Sequence, residues 1–157
     1  MADKVKDPID KGMIRVLVYG TLKKGHSNHG LMEKADAIFL GYDSITGPYQ
    51  LYDLGAIPAV IDAPAHGNRK VRGELYAITT EGLAALDLME GHPNLYKRRK
   101  LVTDLNERRA WVYLLHATNF MHDGAEPKLA GMWHGSQEEN KFWLDHNKKI
   151  KLDGKVA

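Results

Sequence analysis

The 157-residue sequence contains no cysteine. This absence excludes disulfides, thiolate metal sites and catalytic thiols, and it suits a reducing compartment. Net charge is also small, because 22 Lys and Arg residues are balanced by 20 Asp and Glu residues. No apolar run is long enough to span a bilayer, and the charged first twelve residues are not typical of a signal peptide. We therefore expect a cytoplasmic protein that has neither nucleic acid nor a membrane as its main partner.

Short β-rich segments alternate with turn residues along most of the chain. The pattern predicts strands over residues 13–19, 35–45, 49–53, 59–62, 71–78, 97–104 and 110–117. Helices are predicted over residues 80–90 and, after a capping-box pattern, about 136–149. Few helices and no regular βαβ alternation indicate an α+β domain with a mixed, barrel-like sheet. Residues 1–12 read as an N-terminal lead, and residues 13–157 as a single domain.

The glycine-bearing segment after the first strand resembles two common motifs without matching either. Gly20 and Gly25 have the spacing of a phosphate-binding loop, but His26 stands where that loop needs the lysine that neutralises phosphate charge. The run Gly25–His29 has a serine at the position of a nucleophile elbow, but it lacks the second glycine and starts too far beyond the strand. His26 and His29 have no evident carboxylate partner, so we expect no metal.

The helix predicted at residues 80–90 carries a carboxylate on its apolar face. Leu83, Leu86 and Glu90 are spaced so that they lie on one side of the helix, which must pack against the sheet. Burial raises the pKa of a carboxyl group, which suits general acid–base chemistry near neutral pH. The alternative is a helix-end glutamate that reaches solvent or pairs with Arg98 or Arg99. Asp87 and Glu81, on other faces of the same helix, are predicted to be solvated.

Three segments occur in a fixed order: VYGTLKKGHSNHGLM at 18–32, GELYAI at 73–78 and LDLMEGHPNLYKRRKL at 86–101. Together they resemble the γ-glutamylcyclotransferase-like superfamily, in the branch of the AIG2-like proteins and γ-glutamylamine cyclotransferase. The resemblance covers roughly residues 14–117. It implies a small mixed β-barrel with flanking helices.

The resemblance also implies a reaction and a set of site residues. In that family the α-amine of a γ-glutamyl group attacks its own γ-carbonyl, which releases 5-oxoproline and an amine or amino acid without a cofactor. By resemblance, Glu90 is the catalytic acid–base. The residues implied in substrate binding are Tyr19, Gly20, Thr21, Leu22 and Tyr96. A γ-glutamylamine is the expected small-molecule substrate.

Several alternatives remain open at this point. Glu74 alternates with Leu75 along its predicted strand, so it is a second candidate for the acid–base. Tyr113 is interpreted as a sheet residue, with a position in the pocket as the alternative, and Arg98 as a partner of Glu90 or Glu74. A non-catalytic member of the fold that binds or senses a small molecule is the main functional alternative. An interaction protein that works through its basic C-terminal helix is another.

Overall fold

The structure is a computed structural model that describes residues 8–54, 57–105, 108–116, 126–127 and 131–133. The predicted C-terminal helix at 136–149 lies outside these residues. The strands are β1 (Ile14–Val18), β2 (Ile38–Gly47), β3 (Tyr49–Asp53), β4 (Pro58–Asp62), β5 (Arg69–Ile78), β6 (Tyr96–Val102), β7 (Arg109–Leu115) and β8 (Glu126–Pro127). The α-helices are α1 (His29–Lys34) and α2 (Thr80–Glu90), and short 3-10 helices occupy Pro8–Lys11 and Pro64–His66.

The first strand is the centre of the main sheet. Five strands are ordered β2-β5-β1-β7-β6, with β1 antiparallel to β5 and parallel to β7, and a smaller sheet has the order β4-β3-β8. Val16 and Leu17 are both fully buried, on opposite faces of β1. They belong to two separate apolar clusters, one on each side of the sheet. The prediction of a mixed α+β domain is thus confirmed, and its central strand is buried on both faces.

The main sheet ends at β2 and β6, and within the described residues no strand pairing joins these two edges. The edges do approach each other at one end. There Asp104, just after β6, accepts hydrogen bonds from the hydroxyls of Ser44 (2.6 Å) and Thr46 (2.8 Å), and its N–H donates to the Ser44 carbonyl (2.8 Å). Loop contacts, rather than a strand ladder, therefore link the edges, and a closed barrel stays a prediction.

Helix α2 begins and ends as the sequence predicts. The Thr79 hydroxyl accepts a hydrogen bond from the Gly82 N–H (3.0 Å), which caps the start of the helix. Gly91 follows the last residue with a φ of 64°, the left-handed conformation that ends many helices. Within the described ranges, no helix is long and apolar enough to cross a membrane.

Two local features differ from the predictions. Helix α1 was not predicted. Its N-cap residue, Asn28, makes no side-chain capping bond and instead donates its side-chain amide to Thr21. Strand β2 continues through Thr46 and Gly47, where a turn was expected, so only Pro48 separates it from β3. Proline has no N–H to donate to a neighbouring strand, so it is tolerated at a strand end. Pro48 alone is therefore enough to separate β2 from β3.

Candidate active site

A tight turn follows the buried end of β1. The Lys23 N–H donates to the Gly20 carbonyl (3.0 Å), which closes the turn, and Asn28 fixes its far side. The Asn28 N–H donates to the Thr21 carbonyl and its side-chain amide donates to the Thr21 hydroxyl, both at 2.9 Å. Among the described residues, no turn or loop hydrogen bond uses the N–H groups of Gly20, Thr21 or Leu22. The turn is therefore held from its carbonyl side, and its backbone donors are left for another acceptor.

The Tyr19 side chain ties this turn to two distant strands. Its hydroxyl donates to the Tyr113 carbonyl in β7 (2.6 Å) and accepts a hydrogen bond from the Val60 N–H in β4 (3.3 Å). The hydroxyl is thus fully engaged within the protein, and only the ring of Tyr19 contributes to the site surface. This places Tyr19 as a wall and an anchor of the site.

Glu90 lies at the C-terminal end of α2, on the face that packs against the sheet. Its side chain is 1% exposed, and Leu83 and Leu86 on the same face are also buried. The spacing argument for a carboxylate at the core is thereby confirmed, and the alternative of a helix-end glutamate in solvent is wrong. A carboxylate this deep is destabilising unless polar groups or a function compensate for its lost hydration.

The turn and the carboxylate meet at one small cavity. Leu17, Val18, Tyr19, Gly20, Leu22, Glu90 and Tyr113 line it. It encloses about 10 Å³, which corresponds to roughly one water molecule. In this conformation the cavity beside Glu90 is therefore too small for a larger ligand.

Three tyrosines share the electrostatic environment of Glu90. Burial, followed by the nearby Tyr96 hydroxyl and Glu90 carboxylate, raises the pKa of Tyr19 well above its ordinary value. Burial and then Glu90 raise the pKa of Tyr96, and burial, the hydrogen bond to Asp87 and more weakly Glu90 raise the pKa of Tyr113. All three hydroxyls therefore stay protonated at neutral pH and none competes with Glu90 as a base.

The structure brings most, but not all, of the predicted site residues to this cavity. Tyr19, Gly20, Leu22 and Glu90 line it, whereas Thr21 and Tyr96 do not. Thr21 is buried and holds Asn28 instead. Tyr96 is also buried, and its hydroxyl donates to the Pro58 carbonyl (3.0 Å). Thr21 and Tyr96 thus lie outside the cavity, and each is held by a hydrogen bond within the protein.

Glu74, the other candidate carboxylate, lies elsewhere. It lines a separate cavity, where one carboxylate oxygen accepts hydrogen bonds from the Lys24 N–H (2.8 Å) and the Tyr76 hydroxyl (2.9 Å). The structure therefore separates Glu74 from the turn and Glu90.

The predicted partner of Arg98 is corrected. The Arg98 Nε donates to Asp87 (2.7 Å), not to Glu90 or Glu74, and the guanidinium also lies over the Trp111 ring at 4.2 Å. The Tyr113 hydroxyl donates to the same Asp87 oxygen (2.7 Å). Asp87 is thus half-buried and bonded rather than solvated, because the adjacent strands β6 and β7 reach it.

Tyr113 was interpreted from the sequence as a sheet residue, with a position in the pocket as the alternative. A period of two along β7 places it on the same sheet face as Trp111 and Leu115. That signal identifies a face but not a neighbouring strand. Only the parallel pairing of β7 with β1 brings Tyr113 beside the turn.

The Asp87 contacts predict a pH-dependent stability. Burial works against ionisation, but hydrogen bonds from Arg98 and Tyr113, with the charges of Arg98 and His92, hold the pKa of Asp87 below its ordinary value. Because the folded-state pKa is depressed, the stabilisation is present at neutral pH and is lost as the pH falls through that pKa. We expect Asp87→Asn to lower the free energy of unfolding at pH 7 by about 1.5–3 kcal/mol, as for hydrogen bonds to charged groups.

Urea unfolding of the wild type and of Asp87→Asn between pH 3 and pH 7 checks this prediction. The difference between the two proteins should shrink below about pH 4, the ordinary pKa of aspartate. A difference that stays constant down to pH 3 would contradict the depressed pKa.

Nothing in the described part of the chain resembles a metal site. No three His, Asp or Glu side chains are grouped there as potential ligands. The carboxylate that lines the smaller cavity is that of Glu90.

Comparison with known proteins identifies relatives along most of the chain. The family model for γ-glutamyl cyclotransferase, AIG2-like, matches residues 16–135. The human γ-glutamylaminecyclotransferase is 39% identical over 103 residues, which cover 62% of this chain and 67% of that protein. The γ-glutamylcyclotransferase family protein YtfP of Escherichia coli is 36% identical over 101 residues, covering 64% of this chain and 81% of that protein.

Solved structures agree with these matches. The crystal structure of an AIG2-like protein from Mus musculus superposes with a TM-score of 0.67 at 25% identity, covering 79% of this chain and 90% of that one. Its fold is thus the mixed α+β arrangement described above. The chain belongs to the AIG2-like γ-glutamyl cyclotransferase family.

Proposed function

We propose that this protein is a γ-glutamyl cyclotransferase that converts γ-glutamylamines to 5-oxoproline and a free amine. The observation that supports the proposal most directly is the buried Glu90 carboxylate, which shares one cavity with the Tyr19–Leu22 turn. A base and a set of backbone donors beside one cavity are the two elements that intramolecular acyl transfer requires.

In the proposed reaction the substrate supplies both nucleophile and electrophile. Glu90 removes a proton from the α-ammonium group, and the freed nitrogen attacks the γ-carbonyl carbon of the same molecule. The new C–N bond closes the five-membered ring, and the bond from that carbon to the leaving nitrogen breaks. Glu90 returns its proton to the departing amine, and the ring nitrogen loses its second proton, which the released amine takes up as an ammonium ion. No cofactor takes part, and holding the two groups in a near-attack geometry can contribute roughly 7–11 kcal/mol.

The turn is proposed to bind the oxygen of the reacting carbonyl. Attack at the γ-carbon places negative charge on that oxygen, and backbone N–H groups of Gly20, Thr21 and Leu22 are the available donors. One well-directed donor of this kind contributes about 3–4 kcal/mol to the rate. Gly20, which has no side chain, lets the substrate approach the backbone closely.

Substrate entry requires the site to open. The cavity holds about the volume of one water molecule, and a γ-glutamyl group is several times larger. The Tyr19 hydroxyl and Asn28 fix the carbonyl side of the turn, and the Tyr113 hydroxyl is held by Asp87, so we propose that the Leu22 side chain moves. Closure around the bound substrate would then exclude water, which favours ring closure over hydrolysis to glutamate.

The γ-glutamylamine class is proposed from the human relative, whose name gives that activity. Three further expectations belong to the same proposal. The Asp104 contacts between β2 and β6 favour a barrel-like closure of the sheet, the chemistry needs no cofactor, and the lack of cysteine suits the cytoplasm.

Detection of 5-oxoproline by mass spectrometry tests the function. Purified protein is incubated with a panel of γ-glutamylamines and γ-glutamyl amino acids in H₂¹⁸O. We expect 5-oxoproline and equimolar free amine with no ¹⁸O in the product, because water does not take part in ring closure.

Two control substrates isolate the mechanism. The α-glutamyl isomer of the best substrate and its Nα-acetylated γ-glutamyl form should both be inert, since neither presents a free α-amine to a γ-amide. Labelled glutamate as the product would indicate a hydrolase. Binding of 5-oxoproline without turnover of any substrate would favour the non-catalytic alternative.

A further inference from the structure

A second and larger cavity lies beside the candidate active site. It encloses about 300 Å³, at the lower end of the range for small-molecule sites. Glu74, which lines it, is directly opposite Val18, which lines the first cavity, in the pairing of β5 with β1. Directly opposed residues share a sheet face, so the two cavities are neighbours on one face.

The floor of the second cavity is the Glu74 carboxylate. Its side chain is 8% exposed, and its Oε1 accepts hydrogen bonds from the Lys24 N–H and the Tyr76 hydroxyl. A carboxylate can accept about four hydrogen bonds. Two of them are therefore supplied by the protein, and acceptor capacity remains for a ligand.

Aromatic rings form one wall of this cavity. The Phe39 ring lies 5.3 Å from that of Tyr42 and 5.5 Å from that of Tyr76, measured between ring centroids. Phe39 and Tyr42 are 48% and 71% exposed, and they lie beside the buried Tyr76. Neighbouring exposed aromatic rings of this kind often mark a binding site. Ring faces beside a carboxylate attract cations.

The charges around the cavity favour a cation as well. Glu74 and Glu33 provide two carboxylates, and Lys24 provides one ammonium group at the exposed rim. The buried Lys23 also interacts with Glu74, but its ammonium donates to the Trp133 carbonyl (2.5 Å) and does not line the cavity. The lining itself therefore carries one net negative charge.

We propose that this cavity binds an alkylammonium ion, with its ammonium group on Glu74 and its alkyl chain against Phe39, Tyr42 and Tyr76. The cation can be a free amine or the distal ammonium of a larger molecule, because the cavity chemistry is the same for both. The site is independent of the proposed turnover, since neither Glu90 nor the Tyr19–Leu22 turn lines it.

Two contacts connect the cavity to the candidate active site. The Lys24 N–H that bonds Glu74 comes two residues after Leu22, and the His29 Nδ1 lies 2.8 Å from the Leu22 carbonyl. His29 also lines the second cavity. The Lys24 amide is thus a local reporter of a ligand on Glu74.

Titration of the ¹⁵N-labelled full-length protein with hexylammonium, followed by NMR, tests the site. We expect the Lys24 amide and residues of the cavity to shift. Glu74→Gln should weaken binding about tenfold or more, by loss of a charged hydrogen bond. Tyr42→Ala should weaken it about 2–5-fold, as for an exposed cation–π contact. Leu105→Ala is the matched control, because Leu105 is also 71% exposed but lies outside the cavity.

Neutral and anionic ligands of the same length provide the contrast. Hexanol and hexanoate should bind at least tenfold more weakly than hexylammonium. Equal binding of hexanol, tighter binding of hexanoate, or shifts confined to other parts of the chain would overturn the proposal.

A final arm identifies the source of the cation. The mono-γ-glutamyl conjugate of 1,6-diaminohexane carries a distal ammonium. Because the proposed reaction would cleave this conjugate, it is titrated into Glu90→Gln. If it shifts the Lys24 amide there but not in the double variant Glu74→Gln/Glu90→Gln, the cavity recognises conjugated amines. If only free hexylammonium does so, the cavity is a site for free amines, and failure of both ligands would refute it whether or not the protein is a cyclotransferase.

Discussion

Glu90→Gln is expected to fold normally and to release 5-oxoproline about 10²–10⁴-fold more slowly than the wild type, which is the usual contribution of general acid–base catalysis. Glutamine keeps the size and shape of the side chain but neither takes up nor returns a proton. Stability should not fall, because the variant replaces a 1% exposed carboxylate with a neutral amide. The loss should therefore appear in kcat, with KM little changed.

Turnover is measured by 5-oxoproline release, and folding by thermal melting of each variant. Glu81→Gln is the matched control, since it makes the same chemical change at an exposed position in the same helix. It should retain full turnover. Normal turnover by a folded Glu90→Gln protein would contradict the proposed acid–base role of Glu90. A comparable loss of turnover in Glu74→Gln alone would assign that role to Glu74.

Gly73→Ala is expected to destabilise the protein by about 2–3 kcal/mol, the upper part of the range for overpacking a core. A Cβ at position 73 would overlap the Val18 carbonyl oxygen, which is backbone and cannot rotate away. Relief requires β5 to separate from β1 where β1 leads into the Tyr19–Leu22 turn. For a chain of this length the melting temperature should fall by about 5–10 °C.

Gly30→Ala is the matched control for this substitution. Gly30 lies in α1, and a Cβ there would meet nothing within 4 Å. Alanine at such a site should stabilise the protein by up to about 1 kcal/mol. The two glycine substitutions are therefore expected to change the melting temperature in opposite directions, and a shared sign would show that the close contact at Gly73 is relaxed by local movement.

The close approach at Gly73 also illustrates what a sequence can and cannot predict. A glycine inside a strand pattern indicates either a bulge or a near backbone, and the sequence alone does not choose between them. The register irregularity instead lies between Phe39 and Gly41 in β2, and Gly73 pairs regularly with Asp43. The choice depends on the neighbouring strand, which local sequence does not specify.

Helix α2 was predictable because its determinants are local. Its cap, its stop and the apolar face shared by Leu83, Leu86 and Glu90 all lie within about a dozen residues. The contacts of Asp87 were not predictable, because Arg98 and Tyr113 come from two later strands. The same distinction explains why spacing along the helix placed Glu90 in the core, whereas the position of Tyr113 at the same cavity depends on the pairing of β7 with β1.

Tyr19 bonds a carbonyl 94 residues further along the chain, and this separation has a consequence for folding. The central strand appears first during synthesis, yet one of its two neighbours, β7, is nearly the last strand made. Closing so long a loop is entropically costly and slow. A nascent chain that ends before Arg109 therefore contains both the turn and Glu90 but lacks β7, which pairs with β1 and binds the Tyr19 hydroxyl. Activity should accordingly appear late in refolding, after α2 has already formed.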